Sequence, residues 1–102
     1  MALAELLVHG PLTSQPEERI DRNGKPYTVA HMLAVADENK RFPLSIVSHA
    51  PSVSLTLQTH EPGDVVSISG RLALHTNADG STHLGIRARR MLSIHPTVRL
   101  KS

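Results

Sequence analysis

Along the chain, apolar residues gather into short runs separated by turn-forming clusters. Residues 3–8 (LAELLV) are mostly apolar and stop at Gly10-Pro11, where proline removes a donor and glycine permits a bend, so a first strand is predicted there. Residues 27–36 are apolar at most positions of both parities, which predicts a strand covered on both faces. A turn at 37–40 (DENK) leads to a third strand over 42–47, with Phe42, Leu44 and Ile46 on one face and Pro43 marking an irregular or edge start. Residues 51–57 admit two readings: a short helix opened by Pro51 and capped by Ser52, or a strand alternating at Val53, Leu55 and Leu57. Glu61-Pro62-Gly63-Asp64 is a turn. Residues 65–75 then alternate, with Val66, Ile68, Leu72 and Leu74 predicted inward and Ser67, Ser69, Arg71 and His75 outward. Asn77-Ala78-Asp79-Gly80 is a hairpin turn, and 83–89 return with Leu84, Ile86 and Ala88 inward.

Centring that hairpin near Asp79 fixes a register. Outward pairs become His75–His83, Ala73–Gly85, Arg71–Arg87 and Ser69–Arg89; inward pairs become Leu74–Leu84, Leu72–Ile86 and Gly70–Ala88. Five short strands, at most one short helix and glycines at the bends predict an all-β domain. The expected architecture is a five-stranded Greek-key barrel, the OB-fold, with a small sandwich as the rival. At 102 residues the whole chain is read as one such domain, large enough for a modest core.

Composition narrows the chemistry. There is no cysteine, which excludes a disulfide framework, a thiolate metal site and a cysteine nucleophile and fits a reducing, cytoplasmic setting. The seven histidines show no close ligand spacing, so no metal site and no cofactor are expected. Neither a nucleophile elbow nor a paired-acid motif occurs, and no catalytic residues are assigned. The apolar start is short, carries Glu5 and lacks a basic flank, which predicts neither a signal peptide nor a membrane span. The net charge of +2 is uneven, since residues 51–102 hold Arg71, Arg87, Arg89, Arg90, Arg99 and Lys101 against Glu61, Asp64 and Asp79. A basic second half suggests an anionic partner.

The polar stretch 10–25 (GPLTSQPEERIDRNGK) carries a resemblance. Its Gly10, Leu12, Thr13, Pro16, Glu17, Arg19, Gly24 and Lys25 follow the order and spacing found at the start of bacterial single-stranded DNA-binding proteins. A second match lies at Gly63, residues 66–72 (VSISGRL) and the Asp79-Gly80 turn, and the similarity runs from about residue 6 to 95. The resemblance implies an OB-fold, commonly dimeric or tetrameric, that coats single-stranded DNA. It further implies that 10–25 bends the first strand around the barrel and starts a second short strand segment. Two departures stand out. Tyr27 and Phe42 are the chain's aromatic residues besides histidine, with Phe42 alone near a family stacking position, and the chain stops at Arg99-Leu100-Lys101-Ser102 without an acidic tail. Such a short, tailless version is similar to primosomal replication protein B; the single-stranded DNA-binding protein branch itself and a plasmid- or phage-borne branch are the other candidates.

The expected function is binding of single-stranded DNA, with RNA not distinguished, in replication, replication restart, repair or plasmid and phage DNA maintenance. Arg71, Arg87 and Arg89 would track phosphates, because like charges opposed across strands repel until an anion lies over them. Arg19, Lys25, Lys40 and Arg41 would form the rim, Phe42 a stacking platform, and His75 and His83 a pH-sensitive pair at the hairpin tip. A homodimer or homotetramer, and contacts with replication or primosome proteins, complete the expected partners; no membrane is among them. The alternative is an OB-fold scaffold or protein-interaction module that lost DNA binding together with its aromatics.

Overall fold

In the computed structural model, residues 5–37 and 40–93 are described, without the side chains of Ala36, Asp37, His75 and Ser93. They form strands β1 (Glu5–Pro11), β2 (Glu17–Ile20), β3 (Pro26–Asp37) and β4 (Lys40–Ser48), helix α1 (Pro51–Gln58), then β5 (Val65–Thr76) and β6 (Thr82–Ser93). The sheet order is β1-β5-β6-β4-β3-β2, antiparallel except where Ser45, Ile46 and Val47 of β4 run parallel to Gly85, Ile86 and Arg87 of β6. The sheet closes on itself through the end of β1, where Leu12 bridges Met32 and the Thr13 amide donates to the His31 carbonyl at 2.8 Å. β1 and β2 are thus two halves of one bent strand. The first half pairs with β5, the second with β3, and six segments make a five-stranded OB barrel with one short helix.

The bend explains the polar stretch 10–25. At Gly10 the two halves part, and a Cβ there would land on the carbonyl oxygen of Leu33. Glycine is required because backbone crosses backbone. Beyond it, Leu12 exchanges hydrogen bonds with the 61–64 turn: its amide donates to the Asp64 carbonyl and its carbonyl accepts from the Gly63 amide, both at 2.8 Å. β2 is exposed at every position, a short edge strand whose Glu17-Glu18-Arg19 charges discourage further pairing.

The core follows the alternation. Ala30, Met32 and Ala34 of β3, Leu44 and Ile46 of β4, Val66 and Ile68 of β5, and Ile86 and Ala88 of β6 are buried with Val8 and Leu12. The open choice at 51–57 resolves to the helix, which plugs one barrel end with Val53 and Leu57. Its cap differs from expectation: Ala50 is the N-cap and Ser52 lies inside the first turn, because Pro51 already takes the position that has no amide partner. α1 is seated by the Gln58 amide on the buried Thr28 hydroxyl (2.9 Å) and by the Ser54 hydroxyl on the Ser48 carbonyl (3.2 Å). The edge role of Pro43 holds on the β6 side, where pairing covers 45–47 only, so its missing amide leaves no gap in that ladder.

Three expectations are corrected or bounded. Leu74 pairs with Leu84 as predicted but is 67% exposed: among the described residues the β1 ladder along β5 reaches Arg71, and the hairpin continues beyond it. The register shifts between Ser69 and Gly70, so Ser69 faces Arg90 rather than Arg89, and Arg89 becomes the extra residue of a bulge. The start of the first predicted strand at Leu3, the centre of the 37–40 turn, and Arg99 and Lys101 lie outside the described residues.

Candidate nucleic-acid interface

One row of side chains crosses the outer face of the whole sheet. Register partners give Glu5–Arg71 from β1 to β5, Arg71–Arg87 from β5 to β6, then Arg87–Val47, Val47–Val29 and Val29–Glu17 on to β2. The predicted opposition of Arg71 and Arg87 is therefore present, both exposed, with two half-buried valines beside them. Acids stand at both ends. Glu5 holds Arg89 at 3.1 Å and Glu17 holds Arg19 at 3.0 Å, all four side chains more than half exposed. Exposed pairs of this kind are worth about 0–1 kcal/mol, so a phosphate can displace either acid.

Next to this row, β6 leaves β4. Past Gly85 toward the tip the parallel pairing ends, and the two strands open a cleft of about 440 Å³. His31, Pro43 and Ser45 line it from the barrel, His83 and Asn77 from the hairpin, and Thr13 from the bent first strand. The His31 ring nitrogen Nδ1 lies 3.2 Å from the Ser14 hydroxyl. An apolar floor with a few hydroxyl, amide and imidazole groups, bordered by arginines, can take planar bases while the cations follow the backbone.

The other predicted residues fall into separate groups. Lys40 and Arg41 are exposed at the β3–β4 end, where Val35 pairs with Arg41. Lys25 is exposed at the β2–β3 end, its amide donating to the Asp21 carboxylate at 2.9 Å. That bond, then the Asn23 amide and the charge of His49, hold the Asp21 carboxyl below its usual value. His75 pairs with His83 in the backbone register, though its side chain lies outside the described residues. Phe42 is half-buried, pairs with Ala34 and packs against the core on the face of Leu44 and Ile46, the face its alternation predicts. Inward alternation from Ile46 places it there, and the outer positions of β4 belong to Arg41, Pro43, Ser45 and Val47.

Sequence reasoning missed His31, Ser45 and Asn77. The signal was available for His31, the one ionisable residue in the apolar run 27–36 besides Tyr27 and of the same parity as Val29 and Leu33. It also missed the Tyr27–His49 pair, whose rings stack with centroids 5.2 Å apart and planes at 20°.

No family model matches the sequence, and no curated protein matches it. Solved structures do. The small single-stranded DNA-binding protein of Streptomyces coelicolor superposes with a TM-score of 0.78 at 17% identity, covering 93% of this chain and 97% of that one. The single-stranded DNA-binding protein of Plasmodium falciparum, solved in complex with single-stranded DNA, gives 0.72 at 14% over 92% and 96%. The mitochondrial single-stranded DNA-binding protein of S. cerevisiae gives 0.75 at 14% over 92% and 96%. These likenesses, added to the barrel topology and register, establish that the chain has the form of OB-fold seen in single-stranded DNA-binding proteins.

Proposed function

We propose that this domain binds single-stranded DNA with little sequence preference, and that it binds rather than catalyses. The observation that carries the reading is the outer face of β3, β4 and the hairpin arm: the opposed Arg71 and Arg87 beside a base-sized cleft. The complex formed by the Plasmodium falciparum neighbour supports the same partner. Arg71 and Arg87 contact phosphates, joined by Lys40, Arg41 and Lys25 at the ends and by Arg19 and Arg89 once they leave their acids. His83, with His75, contributes from the hairpin. The domain serves DNA replication, replication restart or repair in the cytoplasm. The test is fluorescence anisotropy with labelled oligo-dT against a duplex of the same length. Tight binding of oligo-dT and weaker binding of the duplex are expected; equal or absent binding overturns the reading.

A second reading, as a protein-interaction module, has its own observation. Leu7 and Leu92 are each 72% exposed and flank a cleft of about 570 Å³ beside α1. Among the described residues no ladder occupies the second edge of β1 over positions 5–9. The apolar face and open edge support self-association as a homodimer or homotetramer, which sedimentation equilibrium measures. Elution from single-stranded DNA resin at low salt would favour the interaction module over the DNA-binding reading.

A further inference from the structure

The stacked Tyr27–His49 pair lies at the far end of the same outer face, and neither ring belongs to the core cluster. Tyr27 precedes Val29 on β3 by two residues, so the pair sits about 7 Å along the strand from the row that holds Arg71 and Arg87. Beside the rings a cleft of about 260 Å³ opens between β2, β3 and α1, walled by Pro26, Pro51, Leu55 and Glu18. Leu55 is 68% exposed although it stands on the helix that plugs the barrel, so it walls the cleft without filling the core.

We infer that this cleft is a seat for one unpaired nucleobase of the bound strand, stacked on the Tyr27–His49 pair. The inference deepens the proposed DNA binding and rests on it. Three features select a base over other occupants. The volume lies below the roughly 300–1,000 Å³ of a drug-sized site, which suits a single planar ring system and not a peptide helix. No lysine or arginine lines it and Glu18 does, so a phosphate is rejected there while the arginine row takes it. Two rings already offset-stacked present further faces to a third, and any base offers one. The polar groups nearest, Gln58 and Ser54, are engaged with Thr28 and Ser48, which leaves the walls mainly apolar and recognition independent of base identity.

The chain contains no tryptophan, so a single His49→Trp substitution is a clean optical reporter. Titration with oligo-dT is expected to quench that tryptophan, saturating with the anisotropy of the labelled oligonucleotide. The double variant Tyr27→Leu/His49→Leu keeps apolar bulk but removes both π-faces. It is expected to bind oligo-dT between about 5- and 150-fold more weakly, the range found when one stacking ring is removed. Its far-UV spectrum and melting profile check that the barrel persists; should it not fold, His49→Leu alone supplies the affinity arm. Unquenched fluorescence in the His49→Trp protein, or undiminished affinity in the leucine variant, overturns the base seat while oligo-dT binding by the wild type leaves the proposed function standing. Absence of oligo-dT binding by the wild type overturns both.

Discussion

At the scale of single residues, the outer row sets positive charges where they repel each other. Arg71 and Arg87 are register partners, and like charges directly opposite destabilise a strand pair by a few tenths of a kcal/mol or more. Glu5, opposite Arg71 on the other side, offsets part of that cost. Changing both arginines to alanine should therefore weaken oligo-dT binding while leaving the urea midpoint unchanged or slightly raised. A clear drop in the midpoint would make them structural. The pairing was legible in the sequence because it depends only on the hairpin centre. The position of Arg89 was not, since its neighbour depends on a bulge that alternation cannot reveal. Phe42 carries two signals at once: the resemblance places it near a stacking position along the strand, while its parity with Leu44 and Ile46 turns it toward the core, against which it packs half-buried.

At the scale of elements, the bulge has a cause. Gly70 stands at the register shift between β5 and β6, and a Cβ there would land on the Arg87 carbonyl oxygen. Gly70→Ala forces the two backbones apart and should cost about 1–3 kcal/mol, the usual range for overpacking, read as a lower urea midpoint. The same change at the open turn glycines lacks that clash. Asp79 governs the hairpin tip. Its carboxylate accepts from the Ser81 hydroxyl at 2.6 Å and the Ser81 amide at 2.9 Å, and these bonds hold its carboxyl below the ordinary aspartate value of 3.8. A depressed carboxylate stabilises the fold above its unfolded value and loses that contribution as pH falls through its folded value. The Ser81 amide resonance should accordingly stay constant from about pH 8 to 5 and move below 3.8. Turns, strands and barrel class were legible because Gly, Pro, Asn and Asp punctuate the chain. The helix at Pro51–Gln58 was ambiguous because Val53, Leu55 and Leu57 fit both periods, and only its two buried residues, Val53 and Leu57, four apart on one face, distinguish it.

At the scale of the whole molecule, the described charges separate into a basic arm and an acid-tipped periphery, and salt dependence measures how DNA uses them. Each phosphate neutralised on a single strand contributes about −0.7 to the slope of log K against log salt. Arg71, Arg87, Lys25, Lys40 and Arg41 have no acid partner within ion-pair distance among the described residues, whereas Arg19 and Arg89 do. Four or five such contacts give a slope of roughly −3. The Arg71→Ala/Arg87→Ala variant should be shallower by about 1.4, which is two contacts' worth. Glu5→Gln removes the partner of Arg89 and should steepen the slope by about 0.7 while raising affinity at low salt. The directions oppose each other, so a general change in stability cannot imitate both. Anisotropy titrations of the three proteins at several salt concentrations decide the matter. A near-flat slope with tight binding would mean that stacking at the cleft, and not the arginine row, holds the strand.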